Sequence, residues 1–516
     1  MFIRSDRLYI IGLIILFAIV FSYIFNEKID FNGDNCAYYA LATSLSEGHG
    51  YSNIIDNSYS PSNVFPPGYP ILMSGLRFFT DSIFLQKILN GLFLLFSSIL
   101  MFFFLKKNKA SSSLAFIASA AMLLNYQVLH FSTMMMSEMS FLLFSLLTLW
   151  FISKVDEKEP FWKNPFFYLS ILTAAYGYHI RTQGIALIAA IFLFYLFTKK
   201  WKQAITFGGG IIICSLPWMI RNNLLNLGQS RYLSQIVMEN TWRPENGTLE
   251  ISGIISRFFD TLRMLITQAI PDSVLPYIAS DYGKTSLSAW CIAILLCVII
   301  LIGFWQINKY KYLFLFYTAA TLGIISLFNA PSGNRYITTL LPLLDMGLLV
   351  GLYAILSKGM KRLKITRSIS PWLLVPLFLF FSFPRIQTLH ANNKYPYPPN
   401  YLNFFKIAEE VHKQLPPETV VCSRKPELFY MYSKTTCVGY NWTDNAEELI
   451  KGLIQANTDY VILEQLGYSS TGRYLYPAIE KNSELFPIVM HLKNPDTYLL
   501  KFERENAIKK FNYNKP

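Results

Sequence analysis

Residues 32–70 read NGDNCAYYALATSLSEGHGYSNIIDNSYSPSNVFPPGYP, and this stretch decides how the rest of the 516-residue chain is read. It is polar, aromatic and marked by Gly and Pro, and it lies between two apolar runs at 8–25 and 83–104. Connections between elements usually run about 4–6 residues. A loop this long between two hydrophobic runs points to a functional face.

Composition sets the class. Hydrophobic residues make up 53% and charged residues only 15%, with a mean hydropathy of +0.33, which marks an integral membrane protein with a polar portion attached. The net charge of +13 is that of a nucleic-acid binder, but its placement is not. Lys106, Lys107 and Lys109, then Lys199, Lys200 and Lys202, then Lys309 and Lys311, then Lys358, Lys361, Arg362, Lys364 and Arg367 fall in short runs between apolar stretches. That is the pattern of cytoplasmic loops, and it excludes nucleic-acid binding.

A membrane-crossing helix needs about 20 predominantly apolar residues. The expected spans are 8–25, 83–104, 110–129, 141–152, 166–180, 184–197, 204–220, 287–307, 312–328, 337–356 and 371–383, about eleven in all. The first is long for a signal core and has no small-residue cleavage site after it, so it reads as a retained anchor. With the N-terminus in the cytoplasm, every basic connection falls inside. The first loop 26–82, the turn 132–138, the Arg181 turn, the middle loop 222–285, the turn 331–336 and everything after Pro384 then share the outer side.

Residues 1–384 thus form a transmembrane domain and 385–516 a small extracytoplasmic α/β domain. A Pro/Asn linker at 392–400 leads into an amphipathic stretch, 401–415. Short β-rich runs follow at 419–422, 460–463, 487–492 and 498–502, separated by helical patterns at 446–455 and 476–482. Six cysteines lack metal-ligand spacing. Cys422 and Cys437 either pair, if this tail faces an oxidising compartment, or stay as separate thiols.

Asp34 precedes a helical pattern at 36–48, whose Tyr38, Tyr39, Ala42 and Leu45 suit one face of a helix at the membrane surface. Read alone, Asp34 is an N-cap whose carboxylate accepts backbone N–H bonds. Asp345, in the tenth span, calls for a hydrogen-bonded partner inside the bundle. Glu47, His49 and Asp56 are either cavity-lining or solvated. Trp242, Arg243, Arg257, Phe258 and Arg263 suit an interfacial helix or a gate, or plain solvated charge.

The pattern as a whole changes the weight on Asp34. Gly33-Asp34, Tyr38-Tyr39-Ala40, Gly48-His49-Gly50-Tyr51 and Pro66-Pro67-Gly68-Tyr69-Pro70, all in the loop after the first span, resemble the GT-C superfamily of membrane glycosyltransferases. More narrowly they resemble family 39, with its protein mannosyltransferases and lipid A aminoarabinose transferases. Ser137-Glu138 is similar to the family's second acid, with Glu where Asp is frequent. His179-Ile180-Arg181 with Gly184, Pro217-Trp218 with Arg221-Asn222, and Gly333-Asn334-Arg335-Tyr336 before Pro342 resemble its later motifs. The likeness covers residues 8–356 and leaves the C-terminal domain unmatched.

The resemblance implies transfer of a sugar from a polyprenyl-phosphate donor to a lipid, glycan or protein acceptor at the outer face of a bacterial inner membrane, with inversion. Asp34 is implied to be the catalytic base or to position the acceptor, and with Glu138, the second catalytic candidate, to stabilise the charge that develops on the sugar. Such transfer passes through an oxocarbenium-like state and needs a base for the acceptor proton. The departing lipid phosphate needs cations, for which Arg181, Arg221 and Arg335 are the candidates, although an interfacial arginine also snorkels or pairs with head groups. Tyr38, His49 and Tyr69 are the candidate cavity lining. Some relatives in the superfamily use a divalent cation and others do not; Asn35 after Asp34, in place of a second acid, weighs towards none. The competing readings are a lipid or saccharide transporter whose first loop is a gate, and a scaffold acting through the C-terminal domain.

Overall fold

In the computed structural model the described residues are all except 1–3, 32–33, 57, 157–158, 229–230, 276–284, 329–332, 365–368 and 514–516. Gly33, Arg367 and the first residues of the 331–336 turn therefore lie outside the described residues. Each of the eleven apolar stretches is helical. Among the described residues six helices are long and apolar enough to cross a membrane: Asp6–Ile24, Ile83–Lys107, Trp201–Leu224, Leu287–Gln306, Leu341–Arg362 and Pro371–Lys394. Shorter apolar helices, Glu138–Lys154, Pro165–Ile180, Ile185–Phe197 and Lys311–Ser326, pack among them around one large apolar core. The chain is an integral membrane protein with a small sheet-containing C-terminal region.

The third stretch differs from the single span expected at 110–129. It is two helices, Ser112–Leu124 and Tyr126–Ser132, bent by 61°. The cause is Asn125, whose Oδ1 accepts from the Gln127 and Val128 backbone N–H groups at 3.1 and 3.2 Å and so starts a new helix inside the old one. Its Nδ2 donates to Asp345 Oδ2 at 3.0 Å and to the Ser273 carbonyl at 3.1 Å. Asp345 is thus buried with an amide partner, as its depth in the sequence requires.

The first loop folds into two helices, Asn35–Ser46 and Gly68–Arg77. Most of Asn35–Ser46 is buried, so it does not float at an interface as expected. Tyr38, Tyr39 and Ala42 join the core of the helical bundle, while Cys36 joins the cluster of the C-terminal domain that contains Phe404 and Phe429. Sequence periodicity could register one apolar face, but the second is covered only because the C-terminal domain closes over it.

That domain is a five-stranded sheet flanked by helices. Strands β1 (Val420–Cys422), β2 (Thr436–Val438), β3 (Tyr460–Leu463), β4 (Ile488–Leu492) and β5 (Thr497–Lys501) are ordered β2-β1-β3-β5-β4, with β2, β1 and β3 parallel and the β5 and β4 pairings antiparallel. The unexpected strand is β2, three residues that carry no alternation long enough to read. The expected linker at 392–400 is mostly helix, because Leu374–Lys394 continues until Asn393 and His390 hydrogen-bond the Ile24 and Tyr23 carbonyls ending the first helix. Only 395–398 separates it from the next helix, Pro399–Gln414. Cys422 and Cys437 are separate buried thiols.

Candidate active site

Four segments remote in sequence converge on one carboxylate. Glu138 opens the helix Glu138–Lys154 and is fully buried (0% exposed). Its Oε1 accepts from Arg335 Nε at 2.9 Å and forms an ion pair with Arg181 Nη1 at 2.9 Å. Arg335 then reaches with Nη2 to Asp34 Oδ2 at 3.1 Å. Arg181 Nη1 also donates to Ser137 Oγ at 2.9 Å, and the same hydroxyl lies 3.3 Å from the Tyr38 phenol. The cluster therefore holds two acids and two guanidiniums, linked through Arg335.

Asp34 stands at the N-cap position of Asn35–Ser46, yet its side chain makes no capping bond. The expected cap is replaced by the ion pair with Arg335, since a charge-assisted bond outcompetes a neutral backbone donor. Asp34 keeps 36% of its side chain exposed, against none for Glu138. The two acids thus have different environments: Glu138 anchors the cations, and Asp34 faces outward.

Close backbone packing sets Arg181 beside this cluster. A Cβ on Gly68 would lie 2.8 Å from the backbone of His179 and Ile180, and one on Gly184 would lie 2.8 Å from the backbone of Tyr178. Only glycine fits at either position, so the Pro-Pro-Gly-Tyr segment can dock against the end of Pro165–Ile180 and the chain can turn sharply after Arg181. Tyr176 Oη seals the contact by donating to the Gly68 carbonyl at 2.9 Å.

Arg335 is positioned from behind. It lies on the short helix Gly333–Ile337. Gln127 Nε2 donates to the Asn334 carbonyl and, at 2.9 Å, to Thr338 Oγ1, while Gln127 Oε1 accepts from Ser273 Oγ at 2.8 Å. Gln183 Nε2 donates to the Tyr336 carbonyl at 2.9 Å. Gln127 was not among the sequence candidates; a second amide two residues after Asn125, in an apolar span, was the available signal.

Burial disfavours the charge on both Arg181 and Arg335, but Glu138, with Asp34 also acting on Arg335, outweighs it and holds both above the usual guanidinium range. Burial, with Asp34 adding to it, pushes the Tyr38 phenol well up, so it stays protonated. Tyr232, on the helix Arg231–Val237 of the middle loop, also titrates upward, chiefly through burial; Arg181, Asp34, Tyr336 and Arg335 all act on it. Its phenol therefore lies within electrostatic range of the cluster. Nothing in its own neighbourhood of sequence announced this.

The other expected residues lie elsewhere. Arg221 donates to the Ser62 carbonyl at 3.0 Å, to the Tyr51 carbonyl at 2.8 Å and to Asn222 Oδ1 at 2.9 Å, with its guanidinium 4.8 Å from the Trp218 ring. It staples the first loop and is not joined to the Glu138 cluster. Tyr69 is fully buried, bonded to Asn90 at 3.2 Å and edge-on to Tyr38 at 5.1 Å. It supports Tyr38 from below. His49 is exposed and stacks on Tyr59 at 4.1 Å, while Asp56 bonds Asn53 and Ser58 within its own turn.

Among the described residues no three His, Cys, Asp or Glu side chains gather as a metal site. Asp34 and Glu138 both face guanidiniums. Guanidinium donors do remain. Nε and Nη2 of Arg181 and Nη1 of Arg335 donate to no acceptor among the described residues. An anion with several oxygens, such as a phosphate, fits that set.

Residues 63–222 match the family model described as dolichyl-phosphate-mannose-protein mannosyltransferase. None of the curated proteins matches the chain in sequence. Among solved structures, ArnT from Cupriavidus metallidurans in the apo state superposes with a TM-score of 0.63 at 10% identity, covering 99% of this chain and 100% of that one. The same protein bound to undecaprenyl phosphate gives 0.61 at 10% identity over 96% and 98%. The Archaeoglobus fulgidus oligosaccharyltransferase gives 0.52 at 12% identity over 87% and 69%.

Proposed function

We propose that this chain, which has the GT-C glycosyltransferase fold and a mannosyltransferase-like segment over residues 63–222, moves a sugar from a polyprenyl-phosphate carrier to an acceptor at the outer face of the membrane, with inversion. The observation that carries it is the pairing of a half-exposed Asp34 with a buried Glu138 through Arg335. That a structural neighbour is solved with undecaprenyl phosphate bound favours this class of donor.

The acceptor hydroxyl bonds Asp34 Oδ1, the oxygen that Arg335 does not occupy. As its oxygen attacks the anomeric carbon from the face opposite the phosphate, its proton passes to Asp34 and the bond from anomeric carbon to phosphate oxygen breaks. The polyprenyl phosphate leaves as an anion onto the open donors of Arg181 and Arg335. Preorganised cations aimed at developing charge are a large source of rate acceleration, and they act most strongly where water is excluded. Glu138 holds both arginines in place and never touches the sugar. A flippase reading is less favoured, because the deep polar groups Asn125 and Asp345 hydrogen-bond each other.

The test is Asp34→Asn in purified protein supplied with a panel of polyprenyl-phosphate sugars, with products identified by mass spectrometry. Transfer is expected to disappear while the fold and donor binding persist. Full transfer by a folded Asp34→Asn protein sinks the assignment of the base.

A further inference from the structure

The C-terminal domain touches both loops that flank the cluster, through one continuous stack of side chains. Trp242, half exposed on the middle loop, stacks on Trp442 of the domain with ring centroids 6.0 Å apart and planes at 26°. Trp442 also meets Arg424, whose guanidinium is 4.6 Å from that ring and 4.7 Å from the ring of Tyr468. Tyr468 in turn donates its phenol to the Phe31 carbonyl at 3.3 Å, and Phe31 stacks on Tyr401 at 3.5 Å. Phe31 stands three residues before Asp34.

Polar contacts lock the middle-loop end. Glu245 accepts from the Tyr474 phenol at 2.7 Å and pairs with Arg473 at 3.5 Å. Glu245 and Trp242 lie at the tip of a hairpin-like turn closed by the Met238–Thr248 bridge. Arg257 grips the base of that turn by donating to the Ile236 and Met238 carbonyls at 3.1 and 2.7 Å. Val237, the last residue of the helix carrying Tyr232, accepts from the Leu249 N–H at 2.8 Å. The turn and the Tyr232 helix are therefore hydrogen-bonded into one arm.

The stack runs from the Asp34 loop to the Tyr232 arm without passing through the bundle. A stack of planar groups resists compression and shear, and a guanidinium between two rings has its orientation fixed. We propose that Trp242, Trp442, Arg424 and Tyr468, locked by Glu245, form a brace that sets the spacing between the loop of Asp34 and the arm of Tyr232, which makes Trp442 and Glu245 positioning residues for the transfer. This rests on reading the Asp34 cluster as the site of that transfer.

The experiment uses the full-length protein in lipid nanodiscs. Amide hydrogen exchange over Arg231–Val237 is measured beside transfer kinetics for Trp442→Ala, Glu245→Gln, Trp442→Phe and Asp34→Asn. Loss of a stacked pair or of a charge-assisted bond is of a size to raise local exchange about tenfold. That rise is expected for Trp442→Ala and Glu245→Gln, with kcat falling and the donor KM held. Trp442→Phe, which keeps a ring, is expected to restore both readouts. Asp34→Asn is expected to abolish transfer and leave exchange native, so that a wrong base and a wrong brace give different results. Native exchange at 231–237 in Trp442→Ala overturns the brace, as does a loss in Trp442→Ala that Trp442→Phe fails to repair.

Discussion

Replacing Glu138 with Gln keeps the shape of the side chain and removes the one buried negative charge facing two guanidiniums. In the native protein Oε1 lies 2.9 Å from both Arg335 Nε and Arg181 Nη1. Breaking a buried ion pair by removing one partner costs about 3–5 kcal/mol, because the remaining charge is left uncompensated. Arg335 retains Asp34 at 3.1 Å and Arg181 retains Ser137, and both arginines keep some solvent, at 12% and 21% side-chain exposure. The cost therefore falls at the low end, near 3 kcal/mol. If that energy is what holds the cations for the leaving phosphate, kcat drops by roughly a hundredfold, since about 1.4 kcal/mol is one factor of ten. A single-turnover assay with labelled polyprenyl-phosphate sugar reads this directly, with a melting curve on the same sample. Glu138→Asp, which keeps the charge and shortens the reach, should fall between native and Gln. Turnover of Glu138→Gln within about threefold of native, well under about 1 kcal/mol, with an unchanged melting temperature, refutes the role of Glu138 as anchor.

Arg221→Met removes charge-assisted bonds to the Tyr51 and Ser62 carbonyls, each worth about 1.5–3 kcal/mol; thermal stability should fall and proteolysis within 48–63 rise, with the donor KM unchanged. Gly184→Ala drives a Cβ into the Tyr178 backbone, and should raise the donor KM by displacing Arg181. Gln127→Ala strands Ser273 Oγ and removes a donor from the Asn334 carbonyl, which keeps Thr338 Oγ1 at 3.3 Å; this costs about 1–3 kcal/mol and should lower kcat through Arg335. Burial raises Glu464 above the usual carboxylate range, so the folded domain binds this proton more tightly than the unfolded chain. Stability from this group is fully present below the unfolded value and is lost as pH rises through the folded one; Glu464→Gln should flatten that slope in melting curves across acidic pH.

Hydropathy was enough to place the long apolar helices, because a bilayer imposes a length and composition that do not depend on partners. The motifs around Asp34, Ser137-Glu138, Arg181 and Arg335 were legible for a related reason, since a short polar signature between apolar runs stands out locally. Where a residue's role depends on what faces it, the sequence was silent. Arg181 and Arg221 looked alike as interfacial cations; one meets Glu138 and the other meets two loop carbonyls.

By itself, then, the sequence determined a membrane bundle, a polar first loop and the acids and arginines that stand in its motifs. Tertiary structure alone decided that Asp34 is an ion-pair partner and not a cap, that Gln127 holds the helix of Arg335, that the helix Asn35–Ser46 is covered on both faces, and that Tyr232 comes within electrostatic range of the cluster. The physical reason is common to all four. Each is a contact between segments tens to hundreds of residues apart, and a side chain's partner is fixed by packing geometry that no local periodicity encodes.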